Sequence, residues 1–261
     1  MTAGAGYHRS IVSHVRGNVM RSLTAYVSRR TVLAAVGLIA GAAALVQVRP
    51  ADAQEPLKIG IIGTGNIGGA LARHWVAAGH EVFMSSRHPE ELEPLARELG
   101  PRAHVGTPRE AAAFGSVVLV SVPYGAIPQI GADFSAELAG KVIIDTSNPV
   151  ERRDGAQALE WNRRGAGVVT AELLKNDRVV RAFNCIPAAS LAEQANRQPA
   201  RIAIPIGGDD AAAIAITERL VRDAGFDPVM VGTLADTRRF DLGQPLAQGN
   251  SSATELRALM N

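Results

Sequence analysis

The sequence predicts an α/β fold, a single doubly wound and mostly parallel sheet with a short C-terminal extension. Short apolar runs typical of buried parallel strands alternate with helical patterns along residues 54–261. The first strand ends at Ile62 and passes through a glycine-rich turn into a helix, in which Ile67, Leu71 and Trp75 recur on one face. The length of residues 54–261 suits one domain of this kind.

The glycine-rich turn has the form G-x-G-x-x-G, and it consists of Gly63, Thr64, Gly65, Asn66, Ile67 and Gly68. Between a strand and a helix, this pattern is typical of a dinucleotide site. Gly63 allows the tight turn, Gly65 lets a pyrophosphate approach the backbone, and Gly68 lets the helix pack closely on the strand. Free N–H groups at the helix start would then bind the phosphates. The turn therefore predicts a Rossmann-like nucleotide-binding fold, and a plain strand–helix turn is the alternative.

The residues after the second strand, Glu81 to Ser85, indicate which dinucleotide is bound. An acid at this point accepts a hydrogen bond from the ribose of NAD, whereas a basic residue suits the 2′-phosphate of NADP. Ser85 is followed by Ser86 and Arg87, and no acid occurs before Glu90. Hydroxyl and guanidinium groups bind a phosphate well. We therefore expect NADP(H), held chiefly by Arg87 with Ser86 beside it; a polar loop with a solvated arginine is the alternative.

Two later strands end in residues that we expect at the ligand crevice, because the carboxyl ends of parallel strands line it. The strand from Ser116 ends at Val122, and we expect Val122, Pro123 and Tyr124 to contact the nicotinamide half of the cofactor. The strand from Lys141 ends shortly before Asn148. Asn148 either hydrogen-bonds a ribose or carboxamide or is part of an Asn-Pro turn, and both readings stay open.

The polar segment between Glu151 and Gly167 carries four arginines. We expect it to be a mobile loop near the mouth of the crevice, with solvated arginines.

The N-terminal segment predicts export. The pair Arg29-Arg30 precedes an apolar run from Val32 to Val46, which is shorter than the ~20 residues that span a bilayer. The small-x-small pattern at residues 51–53 then resembles a cleavage site. We expect residues 1–53 to be a twin-arginine (Tat) signal peptide that is recognised by the Tat export machinery and cleaved after Ala53. Residues 54–261 would then be a periplasmic domain; an uncleaved membrane anchor is the alternative.

Composition excludes several classes of function. Six of the 27 basic residues but one of the 25 acidic residues lie in residues 1–53, so residues 54–261 carry a formal charge of −3. No basic and aromatic residues interleave, and we therefore expect no nucleic-acid partner. Cys185 is the only cysteine, so an internal disulfide is impossible. The histidines are scattered, and we expect no metal site.

With these landmarks in place, the sequence resembles the NADPH-dependent reductases of coenzyme F420, a deazaflavin. The resemblance runs from about Leu57 to Asp241. It rests on the glycine-rich turn, on Ser86-Arg87 and on a series of later motifs: Val122-Pro123-Tyr124, Asn148-Pro149, Phe183-Asn184-Cys185-Ile186-Pro187-Ala188, Gly207-Gly208-Asp209-Asp210, Gly232-Thr233-Leu234 and Arg238.

The resemblance implies that NADP binds on the glycine turn, with its 2′-phosphate on Ser86 and Arg87. It also implies a substrate site at Asn184, Cys185, Ile186 and Pro187, with a deazaflavin ring stacked near Ile186 and Pro187. Hydride would pass directly between two cofactors that each carry a reactive carbon, so the protein would contribute mainly proximity and orientation. A homodimer is a further expectation.

We therefore expect an NADP(H)-dependent oxidoreductase acting on a deazaflavin or another small redox substrate. The alternative is an exported NADP-binding protein without turnover, such as a sensor or scaffold. Pyrroline-carboxylate reductases and hydroxyacid dehydrogenases carry similar turns, but they need a helical second domain. The residues after Val231 are too few to build one.

Overall fold

The computed structural model describes residues 55–261. The predicted signal peptide, residues 1–53, lies outside the described residues. No helix among the described residues is long and apolar enough to cross a membrane.

The described residues form one eight-stranded sheet with the strand order β3-β2-β1-β4-β5-β6-β7-β8. All neighbouring strands are parallel except β6 and β7, which pair antiparallel. The mostly parallel sheet predicted from the sequence is thereby confirmed. The strands are β1 (Lys58–Ile62), β2 (Glu81–Ser85), β3 (Ala103–Gly106), β4 (Val117–Val120), β5 (Val142–Asp145), β6 (Val179–Arg181), β7 (Ala203–Gly208) and β8 (Asp227–Gly232).

Ten α-helices connect the strands or follow them among the described residues. They are α1 (Asn66–Ala77), α2 (Glu93–Leu99), α3 (Pro108–Phe114), α4 (Ile127–Leu138), α5 (Glu151–Asp154), α6 (Gln157–Arg164), α7 (Ala166–Leu174), α8 (Ala188–Glu193), α9 (Ala211–Asp223) and α10 (Ala253–Ala258). Short 3₁₀ helices lie at Pro89–Leu92, Tyr124–Ala126 and Ala235–Phe240.

Both faces of the sheet are buried, which is why its central strands are apolar throughout. Alternate residues of β4 belong to different cores: Val117 and Leu119 pack on one side of the sheet, and Val118 and Val120 on the other. On the first side, the indole of Trp75 in α1 donates a 2.9 Å hydrogen bond to the carbonyl of Leu220 in α9. Helices α4 and α7 contribute to the second core.

The order of strands creates the crevice that positions the site. The chain moves from β1 to β2 and β3 on one side, and then returns to place β4 on the other side of β1. Loops after β1 and β4 therefore leave the sheet in different directions, and a ligand crevice opens between them at the carboxyl edge.

The prediction of a mobile loop between Glu151 and Gly167 is wrong. This segment contains α5, α6 and the start of α7. Helix α6 has few apolar residues, but two of them, Ala158 and Trp161, lie on one face and are buried. The ring of Trp161 packs on that of Tyr124, with a centroid distance of 5.1 Å. This one buried face is enough to hold a largely polar helix.

The C-terminal extension packs over the edge of the sheet formed by β7 and β8. Phe240, Leu246 and Leu256 form a small core with Ala203 and Val229. The N–H of Ala203 also donates to the carbonyl of Ser251 at 2.7 Å. A capping box between Ser252 and Glu255 begins α10.

Candidate functional site

The first and third glycines of the turn are required by packing. Gly63 has a φ of +94°, and a Cβ there would lie 2.4 Å from the carbonyl oxygen of Ser121. At Gly68 a Cβ would lie 2.5 Å from the carbonyl oxygen of Gly63 and 3.2 Å from the side chain of Ile61. The tight turn and the close helix–strand packing predicted for these two glycines are confirmed.

Gly65 is different, because no contact within the described residues excludes a side chain there. A Cβ at Gly65 would meet nothing within 4 Å, and its φ of −89° is open to any residue. Gly65 is also the N-cap of α1, and no side chain caps that helix. The N–H groups of the first turn are therefore left for a ligand. A glycine that the fold does not need, beside an uncapped helix, fits the predicted approach of a pyrophosphate.

The glycine turn is fastened to the end of β2. The N–H of Thr64 donates to the carbonyl of Ser85 at 2.9 Å, and the N–H of Ser85 donates to Thr64 Oγ1 at 3.2 Å. The hydroxyl of Ser85 donates to the carbonyl of Ile61 at 2.7 Å, and Ser85 is completely buried. Ser85 is thus a structural residue, and its buried hydroxyl is not available to a phosphate.

Ser86 and Arg87 follow at the surface. Ser86 is half-buried, and its oxygen accepts a hydrogen bond of 2.9 Å from the N–H of His88. A hydroxyl that accepts from the backbone keeps its own proton to donate to a ligand. Arg87 is exposed, and among residues 55–261 its guanidinium has no hydrogen-bond or ion-pair partner. Both side chains are available to a phosphate.

A cleft of about 850 Å³, here called the glycine-turn cleft, lies at this edge. Its volume is within the range of ligand pockets. Seven of the predicted cofactor residues line it: Gly63, Thr64, Gly65, Ser86, Arg87, Val122 and Pro123. The other turn residues, Asn66, Ile67 and Gly68, form the first turn of α1.

The opposite wall was not predicted from the sequence. It includes Ile130 and Phe134 of α4, together with Arg153 and Asp154 of α5. The 850 Å³ space is thus polar at the glycine turn and positively charged at Arg87, and α4 contributes the apolar Ile130 and Phe134 beside the polar Gln129 and Asp133. An amphipathic molecule such as a purine nucleotide matches this division. The apolar periodicity of α4 indicates a helix, but it cannot say which residues face a ligand.

Asn148 does not line the glycine-turn cleft. Its Oδ1 accepts hydrogen bonds from Arg181 Nη2 at 2.8 Å and from Asn184 Nδ2 at 3.3 Å. Its Nδ2 donates to the carbonyl of Asn184 at 2.6 Å. An asparagine amide offers two donors and two acceptor positions, so only one N–H of Asn148 is left for a ligand. The main role of Asn148 is structural, because its hydrogen bonds connect the ends of β5 and β6.

A buried charge network holds Asn148 in place, and sequence reasoning missed it. The guanidinium of Arg181 is completely buried, 3.0 Å from Asp145 and 2.9 Å from Asp241. It also donates to the carbonyl of Ser147 at 2.7 Å. Burial raises the pKa of Asp145, and the guanidinium of Arg181 opposes that rise. An arginine inside a strand of otherwise apolar residues was the signal in the sequence.

The predicted substrate residues lie after β6; two of the four are buried, and Cys185 is half-buried. Asn184 is buried, and its Nδ2 also donates to the carbonyl of Phe240 at 3.0 Å. Ile186 belongs to the apolar core, whereas Pro187 is exposed. Burial raises the pKa of the Cys185 thiol to about 12, which leaves it a poor nucleophile.

The C-terminal extension covers this substrate loop. A Cβ at Gly249 would lie 2.5 Å from Pro187 Cδ and 2.6 Å from the carbonyl oxygen of Cys185. The substrate role of the loop stays a prediction. Within residues 55–261, no cluster of three or more His, Cys, Asp or Glu side chains is arranged to hold a metal ion.

Comparisons with known proteins bear on this geometry. A sequence model of the family described as NADP oxidoreductase coenzyme F420-dependent matches residues 58–149, which run from β1 to just beyond β5. The matched segment includes the glycine turn, Ser86, Arg87, Val122 and Pro123.

Two curated relatives are similar in sequence. Metalloreductase STEAP3 of Rattus norvegicus is 31% identical over 191 residues, which cover 72% of this chain and 36% of the relative. The F420-dependent NADP reductase of Methanothermobacter thermautotrophicus is 32% identical over 150 residues, 52% of this chain and 65% of the relative. The chain thus spans between about a third and two thirds of the length of these relatives.

Among solved structures, the hypothetical protein SMa0349 from Sinorhizobium meliloti is similar, with a TM-score of 0.66 and 28% identity. The alignment covers 76% of this chain and 96% of that protein. The resemblance drawn from the sequence motifs is confirmed by the family match and by the F420-dependent relative. Residues 58–149 therefore match the domain of the coenzyme F420-dependent NADP oxidoreductase family, to which the chain is similar.

Proposed function

We propose that this protein is an NADP(H)-dependent oxidoreductase that transfers a hydride between NADP and a small redox substrate, with a deazaflavin such as coenzyme F420 as the first candidate. One observation carries the proposal. The glycine-turn cleft combines an uncapped helix start, a glycine that the fold does not need, and the available side chains of Ser86 and Arg87. This set suits a dinucleotide that bears an extra phosphate.

Each part of the cleft has a role in this proposal. Backbone N–H groups at the start of α1 bind the pyrophosphate, and Gly65 leaves room for it. Arg87 and the hydroxyl of Ser86 bind the 2′-phosphate by charge-assisted hydrogen bonds. Val122 and Pro123 follow the end of β4 and line the glycine-turn cleft, whereas the neighbouring Tyr124 is buried and does not. They orient the remainder of the cofactor.

The bound cofactor would supply the hydride, and the protein's residues would bind and orient the reactants. Tyr124 is no proton donor in this scheme, because its hydroxyl donates to the carbonyl of Ala166 at 2.6 Å and burial raises its pKa above the ordinary value. The Cys185 thiol is equally unsuited to covalent chemistry, because its pKa is raised. A mechanism based on proximity is consistent with both findings.

The acceptor is tested by mixing the purified protein with NADPH and following nicotinamide absorbance with F420, a flavin or a ferric chelate in turn. The names of the two curated relatives motivate the first and last of these acceptors. Oxidation of NADPH with F420 would support the deazaflavin proposal. Tight NADPH binding without oxidation by any acceptor would overturn it and leave the alternative of a binding protein without turnover.

Cofactor choice is tested with Arg87→Ala. Loss of one charge-assisted contact should weaken NADPH binding by about tenfold or more and leave NADH binding nearly unchanged. Arg97→Ala is a matched control, because Arg97 is exposed on α2 and does not line the glycine-turn cleft. Equal losses for the two nucleotides would show that the 2′-phosphate assignment is wrong.

Export through the Tat machinery to the periplasm is also a proposal, and it rests on Arg29, Arg30 and the apolar run behind them. An exported NADP site would have no obvious supply of reduced cofactor, which is the argument for a sensor or scaffold. Cell fractionation with Arg29→Lys and Arg30→Lys together tests export. A native protein found in the cytoplasm would refute export.

Sedimentation of the purified protein would test the expected homodimer.

A further inference from the structure

A second cleft, here called the polar cleft, has a volume of about 430 Å³ and shares no lining residue with the glycine-turn cleft. Pro149 and Asn162 form one side, and the 3₁₀ helix Ala235–Phe240 with the residues after it forms the other. Since Pro149 directly follows Asn148, the polar cleft lies beside the ends of β5 and β6.

The acidic residues of the polar cleft already have partners. Asp241 pairs with the buried Arg181. Asp236 accepts hydrogen bonds from the N–H of Thr233 at 2.8 Å and from its hydroxyl at 2.7 Å. Asp241 is thus neutralised by Arg181, whereas Asp236, whose hydrogen-bond partners are neutral, keeps its negative charge at the edge of the cleft.

The two arginines of the polar cleft differ in whether their side chains have a hydrogen-bond partner. Arg239 donates to the carbonyl of Met260 at 3.0 Å. The guanidinium of Arg238 has no hydrogen-bond or ion-pair partner among residues 55–261. Its stem lies against Gly165, where a Cβ would come within 2.7 Å of Arg238 Cγ. Gly165 also has a φ of +95°, so it is a position that favours glycine. The backbone thus leaves room for an arginine whose charge faces a cleft.

A short series of contacts connects the polar cleft to the predicted substrate residues after β6. Asp241 binds Arg181, and Arg181 donates to Asn148. Asn184 joins the same group through Asn148 Oδ1 and through the carbonyl of Phe240. A molecule held in the polar cleft would therefore lie next to the residues for which the substrate role was predicted.

We propose that the polar cleft binds the anionic end of the redox substrate, with Arg238 as the residue that contacts its phosphate or carboxylate. The substrate class is a flavin or deazaflavin that carries such a group, rather than the neutral ring alone. This inference rests on the proposed function, because it assigns the substrate of that same oxidoreductase.

The test compares riboflavin with FMN, which have the same ring and differ by one phosphate. Binding is measured by flavin fluorescence without NADPH, so the result does not depend on turnover. The native protein should bind FMN about fivefold more tightly than riboflavin at low salt, and the preference should shrink as salt rises, because Arg238 is exposed. Arg238→Gln should remove the preference and leave riboflavin binding unchanged.

Two controls make the result specific. Arg163→Gln removes an exposed arginine that pairs with Glu160 outside both clefts, and it should leave the FMN preference intact. Arg87→Ala should also leave it intact, since otherwise FMN binds in the glycine-turn cleft. Equal affinity for the two flavins, binding of neither, or a preference that survives Arg238→Gln would overturn the inference. An FMN preference with no oxidation of NADPH would instead refute the proposed function alone.

Discussion

Replacing Arg181 by methionine should be among the most damaging single changes in this protein. The side chains of Arg181 and Asp145 are both fully buried and lie 3.0 Å apart. Removing the arginine leaves Asp145 without its cation in a site that water does not reach. Breaking a buried pair in this way typically costs about 3–5 kcal/mol. For a domain of this size, that loss corresponds to a fall of roughly 6–20 °C in Tm.

The neighbouring pair of Arg178 and Asp210 provides a matched control. Its two side chains are 3.2 Å apart but 30% and 35% exposed, so Arg178→Met should cost no more than about 1 kcal/mol. Urea and thermal unfolding, followed by circular dichroism, would measure both variants. A double variant, Arg181→Met with Asp145→Asn, should recover more than half of the loss, because the stranded charge is then gone.

The reasoning would be refuted if Arg181→Met were no more destabilising than Arg178→Met. It would also fail if the double variant were as unstable as Arg181→Met alone. That second result would locate the effect in lost packing around the arginine stem, rather than in an uncompensated carboxylate.

Two further predictions follow from the glycine turn and from a buried histidine. Gly65→Ala should leave Tm nearly unchanged but weaken NADPH binding by roughly tenfold. Gly63→Ala should lower Tm, because only at Gly63 would the added Cβ meet a backbone oxygen. Identical unfolding curves for the two variants would contradict this prediction. His80 accepts from the N–H of Leu57 through Nδ1 and bonds Asp223 through Nε2, and burial lowers its pKa. The unfolded chain then binds the proton more readily, so stability should fall as pH drops below about 6.5 and level off below the folded pKa. Urea midpoints between about pH 7 and pH 5 should fall less in His80→Gln; the same slope in both proteins would exclude His80 as the cause.

Much of the fold could be predicted because its signals are local. Each central strand is buried on both faces and reads as an apolar run, as in Val117 to Val120. The segment that was misjudged, Glu151 to Gly167, is polar on most of its surface. Its helices depend on Trp161 packing against Tyr124, and this contact joins residues that are distant in the sequence.

The residues of the candidate site also fall into those that the sequence could predict and those that it could not. Gly63, Gly65 and Gly68 are recognisable because the turn imposes its backbone requirements within six residues. Arg87 is recognisable because β2 lies parallel to β1 and ends beside the turn. The apolar wall on α4 could not be assigned, since every buried helix has an apolar face and the sequence does not say what that face contacts.

The strand–turn–helix unit, the mostly parallel sheet and the residues suited to a 2′-phosphate follow from the sequence alone. The contacts of the folded chain were needed to show that Asn148 joins strand ends, that Ser85 is structural, and that Arg238 lines a second cleft. Arg181 shows the physical reason, because its partners Asp145 and Asp241 lie 36 and 60 residues away in the chain. A buried charge is stable only where folding brings its counter-charges to it, and no local pattern records that meeting.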